Sequence, residues 1–439
     1  MGVTGLSCAR YFRSLGETFS IADSRENPPG LDDFVKEFPE QTPMTGPFHD
    51  KQFCEASELV VSPGVSLKTP AVKAAIDAGV FITGDIDIFS RAASAPVVAV
   101  TGSNGKSTVV SLLGEMARHA GLHVAVGGNL DGKGARPALD LLSDKGCDLY
   151  VLELSSFQLE TTHKLGAKAV AVLNISEDHM DRYDDMDAYA GAKHRIFNSC
   201  EVAIINRQEP SSYLPAKHEA VVVSIGLDSP GQDQWGLRDI DGEAYLARGE
   251  QKLLRRSEVK MPGKHNVVNA LTALALGEAV GLPLEKMLET LKSFAGLPHR
   301  CEWVAQIEGV QYFNDSKGTN VGASITAIES VSELISGKIV LIAGGLDKDS
   351  DFSVMAPVLE KHVSAAVLIG QDAETLATAF RRTVPVVLAQ SMSEAVLRSS
   401  ELAQAGDAVL LSPACASFDM FKGYADRGEA FCNAVEDLS

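Results

Sequence analysis

Thr101-Gly102-Ser103-Asn104-Gly105-Lys106-Ser107-Thr108 follows an apolar run at 96–100. It opens a stretch in which Val109, Leu112, Leu113, Met116 and Ala120 recur at helical spacing. A strand, a glycine-rich turn and a helix in that order make a phosphate seat. Glycines let the chain curl until several backbone N–H groups converge on an anion, and the helix N-terminus adds partial positive charge. Lys106 can reach the outer phosphates, and Ser107 or Thr108 can ligate Mg²⁺. Val100 stands where the strict motif has its first glycine, so an ordinary glycine-rich turn is the alternative. The strand–turn–helix context favours the phosphate.

Outward from this loop, short β-like runs alternate with helical runs along the whole chain, which predicts an α/β protein built on parallel sheets. Three segments follow. The first, 1–87, reads as a small βα unit with strands at 18–22 and 59–61 and a helix over 69–78. The second, 88–296, carries strands at 96–100, 149–154, 169–175 and 202–206. A polar, turn-rich stretch over 208–260 and a helix over 266–280 complete it. The third, 297–439, places strands at 310–313, 338–343, 365–369, 385–388 and 408–411. Ligands of such sheets sit at the carboxyl ends of the strands.

Composition narrows the partners. The 439 residues are 45% hydrophobic and 22% charged, enough apolar material for several cores, and the net charge is −19. That charge, with no local basic stripe, repels a phosphate backbone and excludes nucleic acid. The 7 cysteines are odd in number, widely spaced and free of CxxC pairs, as a reducing compartment permits. No apolar run nears the roughly 20 residues that span a bilayer, and the N-terminus lacks the basic region of a secretory leader. A soluble cytoplasmic protein, off the membrane and monomeric, is the expectation.

A phosphate loop alone specifies no reaction. Glu153 is the one carboxylate in the apolar strand Tyr150-Val151-Leu152-Glu153-Leu154, and a buried carboxylate is costly unless paired or metal-bound. It is therefore a candidate Mg²⁺ ligand; an edge-strand Glu facing water is the alternative. The loop Asn174 through Tyr183 puts His179 where a second metal ligand could stand, against the plainer reading of a solvated acidic turn. Lys193 taken alone reads as a surface lysine. Cys415, between Pro413 and Ser417 at a predicted helix start, reads as a small packing residue.

These motifs, in this order, resemble the Mur ligases of bacterial peptidoglycan synthesis. The residues that carry the resemblance are 102–108, 153–160 and 174–183, Gly263-Lys264-His265-Asn266 with Asn269, and Leu297-Pro298-His299-Arg300. Asn314-Asp315-Ser316-Lys317 with Thr319-Asn320, Gly344-Gly345 with Lys348, and 411–417 extend it across nearly the whole chain. The resemblance implies an ATP-dependent amide ligase adding D-glutamate to UDP-N-acetylmuramoyl-L-alanine. It also implies three domains: an N-terminal Rossmann-like UDP-binding domain, a central P-loop ATPase-type parallel sheet and a C-terminal Rossmann-like domain.

By the same resemblance Gly102, Asn104, Gly105, Lys106, Ser107, Thr108, Asn269, Arg300 and Asp315 bind ATP. Ser107 and Glu153 hold one Mg²⁺, and His179 and Lys193 a second, with Lys193 as a carbamate. Lys106, Lys193 and His179 are the catalytic set; the group that takes the amine proton is not readable from the residues. Val3, Thr4, Asp23, Ser24, Arg25, Gly64 and Asn129 match contacts to the UDP substrate. Lys317, Thr319, Lys348, Ser417 and Tyr424 match those to D-glutamate. The chemistry suits the residue types: a carboxylate becomes electrophilic once phosphorylated, and two lysines suit a dicarboxylic amino acid.

Two departures accompany the match. The glycine turn Gly2-Val3-Thr4-Gly5 has no strand before it, so the first domain is expected to lack its first parallel strand, with the true start upstream. The loop from Gly128 to Pro137 is longer than the family's. Three other readings remain: a sister ligase for L-alanine, a diamino acid or a folate glutamate; a nicotinamide oxidoreductase using the Gly2–Gly5 turn and Asp23; and a non-catalytic nucleotide binder.

Overall fold

The computed structural model describes residues 1–130, 134–215, 218–261, 263–347 and 350–438. Its centre is a six-stranded sheet in the order β10-β9-β8-β5-β7-β6. These strands are β5 (Val97–Thr101), β6 (Val124–Gly128), β7 (Leu149–Glu153), β8 (Ala169–Val172), β9 (Val202–Asn206) and β10 (Val221–Ile225). Every pairing in it is parallel. Strand side chains alternate between faces, and β5 shows why its run is apolar throughout. Val98 and Val100 enter a core with the helices Lys106–His119 and Lys264–Ala279, while Val97 and Ala99 enter another with Phe89 and Tyr150. Both faces are covered, so no position on the strand wants a polar residue.

The C-terminal segment repeats this construction. Its sheet runs β14-β15-β19-β16-β17-β18: β14 (Glu302–Ile307), β15 (Val310–Asn314), β16 (Ile339–Gly344), β17 (Val363–Ile369), β18 (Val386–Leu388) and β19 (Ala408–Leu411). Leu341 and Ala343 face one core, Val340 and Ile342 the other. The predicted strands are all present, and β14 is an addition. It pairs antiparallel with β15 with an irregularity between Trp303 and Ala305, and Trp303 stays exposed, so its pattern hides the strand.

The stretch 208–260, read as turns, holds β10 and a three-stranded antiparallel meander, β11 (Trp235–Ile240), β12 (Glu243–Arg248) and β13 (Gln251–Arg255). One face is solvated, so charged residues dilute the apolar signal; Trp235, Leu246 and Leu254 supply the buried face. The legible clue is Asp241-Gly242, both at positive φ (57° and 80°) between the paired Ile240 and Glu243. Asp-Gly is what a two-residue hairpin turn asks for.

The N-terminal segment has no single sheet among the described residues. β1 (Ala22–Asp23) pairs in parallel with β2 (Met44–Thr45), and β3 (Glu58–Val60) with β4 (Phe81–Thr83), as two separate halves. The strand predicted over 18–22 is thus cut to its last residue and Asp23. The helix predicted at Cys415 is absent: Ala414 takes φ 58°, and the next helix starts at Tyr424. Burial instead pushes the Cys415 thiol up to about 12, the inert state of a packing residue. No helix among the described residues is long and apolar enough to cross a membrane.

Candidate active site

The phosphate loop joins β5 to the helix Lys106–His119, at the carboxyl edge of the central sheet. Its curl depends on Gly105, at φ 87°, where a Cβ would stand 2.7 Å from Asn269 Oδ1. That contact brings the helix Lys264–Ala279 against the loop. Gly105→Ala is expected to cost about 1–2 kcal/mol of stability and to raise the KM for ATP several-fold by displacing Asn269. Chemical denaturation and steady-state kinetics check both. Asn174, quoted in its motif but not picked as a site residue, clamps the other side: its Oδ1 accepts from Asn104 N at 2.9 Å and its Nδ2 donates to Asn104 O at 3.1 Å.

Two ammonium groups meet on one carbonyl. Lys106 Nζ donates to Gly102 O at 2.9 Å and to Ser103 O at 3.0 Å, and Lys193 Nζ donates to Gly102 O at 3.0 Å. Lys193 is buried, not the surface lysine its own neighbourhood predicts, with its ammonium 4.6 Å from the Tyr189 ring centre. Burial lowers both amines, Lys193 well below its ordinary value with Lys106 beside it. Two crowded, desolvated cations mark a seat for negative charge.

Glu153 closes the other side. β7 lies between β5 and β6, so the edge-strand alternative is excluded, and the carboxylate is buried. Its Oε2 accepts from Ser107 Oγ at 2.6 Å and its Oε1 from Asn129 Nδ2 at 3.0 Å. Arg300 Nη2 then donates to Ser107 Oγ at 2.8 Å, carrying the C-terminal segment to the phosphate loop. One carboxylate and one hydroxyl oxygen fit an Mg²⁺ that keeps waters and phosphates as its other ligands. Among the described residues no three His, Cys, Asp or Glu side chains gather as a ready metal cage. His179, at φ 59° and 4.9 Å from the Phe157 ring centre, lines a neighbouring cleft.

That cleft, 180 Å³, lies between the loop Ser176–Met180 and Thr319–Gly322 at the start of the helix Val321–Ser332. Asn320 caps this helix through Ala323 N at 2.8 Å, and its Nδ2 donates to Asp178 Oδ2 at 3.4 Å. His179 and Thr319 line the same space. Lys348 falls outside the described residues. Lys317 stacks its ammonium 4.0 Å from the Tyr424 ring centre, and Ser417 is buried. Sequence reasoning missed what holds this group: Arg427, 1% exposed, donates to Ser316 O at 2.9 Å, Ser316 Oγ at 3.0 Å and Cys415 O at 3.1 Å. It fixes the loops beside Lys317 and Ser417.

Asp315 lies under the linker, accepting from Cys301 N at 3.1 Å and Ser412 Oγ at 2.7 Å, and burial raises it to about 6. Asn104, Gly105, Thr108, Asn269, Arg300, Asp315 and Lys317 line a further 80 Å³ cavity beside the phosphate loop. The N-terminal set is divided. Gly64 lies in a loop held by Arg182, whose guanidinium donates to Pro63 O at 3.0 Å and Val65 O at 3.2 Å. Val3 and Ser24 are exposed and Thr4 is half-buried. Asp23 is taken by Arg25, at 2.8 Å, and by the Met1 ammonium, which hold its carboxyl well below the ordinary range.

The middle and C-terminal segments also meet at His265, whose Nδ1 lies 2.8 Å from Ser330 Oγ. Burial, with Arg256 and Arg300 nearby, drops the imidazole to about 4, against the pull of Glu333. The unfolded chain takes this proton first, near pH 6.5. The stability tied to His265 is therefore complete above pH 6.5 and is lost as pH falls towards 4, by about 3 kcal/mol. His265→Gln should flatten that acid limb in urea titrations at pH 7 and pH 5.

Comparison with known proteins agrees with this geometry. Family models match in three blocks: the MurD-like N-terminal domain of Mur ligases at residues 1–84, the Mur ligase middle domain at 100–277 and the Mur ligase glutamate ligase domain at 299–415. A UDP-N-acetylmuramoylalanine–D-glutamate ligase from Pseudomonas syringae pv. tomato is 51% identical over 439 residues, covering 100% of this chain and 97% of its own. The enzyme of that name from Nitrosococcus oceani is 48% identical over 440 residues, covering 100% and 95%. Among solved structures, a pseudomurein peptide ligase type C from Methanothermus fervidus superposes with TM-score 0.64 at 17% identity, covering 100% and 98%. A UDP-N-acetylmuramate–alanine ligase from Thermotoga maritima gives 0.62 at 17% identity, with the same coverage. With family models over all three segments and half of its residues shared with curated relatives along its full length, the chain belongs to the Mur ligase family.

Proposed function

We infer that this chain is the ATP-dependent ligase that joins D-glutamate to UDP-N-acetylmuramoyl-L-alanine, acting as three domains near 1–87, 88–296 and 297–439. The observation that carries it is the line Glu153–Ser107–Arg300 beside the paired ammonium groups of Lys106 and Lys193. A buried carboxylate, a glycine-rich loop and a C-terminal guanidinium meeting there support one anion seat with a metal beside it.

Lys106 and Arg300 hold the transferring phosphate of ATP, with Asn269 and Asp315 at the nucleoside side. Glu153 and Ser107 would hold one Mg²⁺, which when bound screens phosphate charge for transfer to the substrate carboxylate. Lys193 is the neutral-prone amine of the site, and an amine in that state takes up CO₂. As a carbamate it becomes an oxygen ligand and, with His179, would hold a second ion. Thr319, Lys317, Ser417 and Tyr424 surround the incoming amino acid, whose amine attacks the acyl phosphate and expels inorganic phosphate.

Phosphate release from ATP tests the reading, with UDP-N-acetylmuramoyl-L-alanine present and amino acids offered in turn. D-Glutamate should trigger release. Release with L-alanine, a diamino acid or a folate acceptor would move the chain to a sister activity, and no release with any would leave a nucleotide binder.

A further inference from the structure

The loop that carries His179 also reaches across to the N-terminal segment. Arg182 stands just beyond His179, its backbone N–H donating to His179 O at 2.9 Å in the turn between them. Its side chain is 13% exposed and holds two bodies at once. On the N-terminal side Nη1 donates to Pro63 O at 3.0 Å and Nη2 to Val65 O at 3.2 Å. On the middle side Nη2 also donates to Glu160 Oε2 at 2.8 Å, and the guanidinium carbon lies 4.5 Å from the Phe157 ring centre. The same ring lies 4.9 Å from the His179 ring centre. Glu160 ends the short helix Ser156–Glu160, which follows β7 and Glu153. One side chain therefore joins the Gly64 loop, the His179 loop and the segment leaving Glu153.

The direction of the Gly64 amide follows from these bonds. Ser62 to Val65 form a turn closed by Val65 N donating to Ser62 O at 2.9 Å. Pro63 O and the Gly64 N–H belong to one planar trans peptide and point in opposite directions. Drawing Pro63 O to Arg182 turns the Gly64 N–H away from the guanidinium, and Gly64 is exposed. With Val65 O held as well, both flanks of Gly64 are pinned. The planar fork of an arginine suits this task, and the single ammonium of a lysine does not reproduce it. A second contact between the same stretches, Lys68 with Asp184 at 2.7 Å, has side chains 64% and 79% exposed and contributes little in water.

We propose that Arg182 is a positioning residue for UDP-N-acetylmuramoyl-L-alanine. It aims the Gly64 amide at that substrate and fixes its loop against the segments bearing His179 and Glu153. The sugar-linked acid, which has to span two bodies, is thereby held in register with the phosphate seat. This rests on the reading of Gly64 as a contact to the sugar-nucleotide.

Steady-state phosphate release by the full chain gives a KM for each substrate. Arg182→Lys should raise the KM for the sugar-nucleotide on the order of tenfold, the effect of losing one charge-assisted hydrogen bond. Those for ATP and D-glutamate should stay within about twofold. Glu160→Gln, which keeps the partner's shape and removes its charge, should move the same KM in the same direction by less. Lys68→Ala should leave every KM within about twofold. Amide exchange gives a readout without turnover: the sugar-nucleotide alone should slow exchange at Gly64 in the native chain, and Arg182→Lys should lose most of that slowing. An unchanged KM for the sugar-nucleotide in Arg182→Lys overturns the inference. So does a rise shared equally by all substrates, the mark of a general structural role. No slowing at Gly64 in the native chain removes the reading of Gly64 and the inference with it, whereas slowing that Arg182→Lys retains removes Arg182 alone. If Arg182→Lys does not fold, Glu160→Gln carries the same comparison.

Discussion

Lys106→Ala should stop phosphate release from ATP and leave the chain folded. The ammonium is half-buried, and its two bonds are to the carbonyls of Gly102 and Ser103, one of which Lys193 also serves. Its removal breaks no hydrogen-bonded ion pair, and the buried Glu153 that faces it keeps Ser107 and Asn129, so the folded state loses little. The anion seat, by contrast, loses a desolvated cation placed before the substrate arrives, and such groups are worth on the order of 10³-fold in kcat. Phosphate release gives the first number and a thermal melt the second. An unfolded variant would assign Lys106 a structural duty instead.

Lys193→Ala should be nearly as severe, with a different signature. If the amine works as a carbamate, what the variant lacks is a carboxylate-like oxygen at a vacated buried position. A small carboxylic acid added to the assay should then restore part of the activity, and Lys193→Arg, which cannot take up CO₂, should not respond. Full activity of Lys193→Ala would remove the carbamate from the account. A loss that acetate and its homologues leave untouched would keep Lys193 as a plain cation.

The parts of this architecture that could be read from sequence are those where both faces of a strand are covered. β5, β7, β16 and β19 are uninterrupted apolar runs, and their ends carry the phosphate loop, Glu153 and the loop of Ser417. β11 to β13 were not readable by the same test, because one face is wet and the charged residues on it erase the run. At the site, sequence picked out Lys106, Ser107 and Glu153, which the fold brings together, and missed the groups that hold them. Asn174 and Arg427 act on backbone atoms, and a side chain bonded to carbonyls leaves no motif. Lys193 shows the converse: nothing in Tyr189-Ala190-Gly191-Ala192-Lys193 signals that its amine is buried against Gly102, since folding of a distant loop brings the two together.

The short linker that bears Arg300 has an implication for the anion seat. His299 and Cys301 on either side of it both hold left-handed backbone, at φ 61° and 48°, a posture that L-residues resist by about 1–2 kcal/mol each. The guanidinium at Ser107 is thus presented by a sprung crossing between two bodies, rather than by the body that grips the nucleotide. The contact between Arg300 and Ser107 therefore lasts only while the two bodies stay docked, so the make-up of this seat depends on how they are held together.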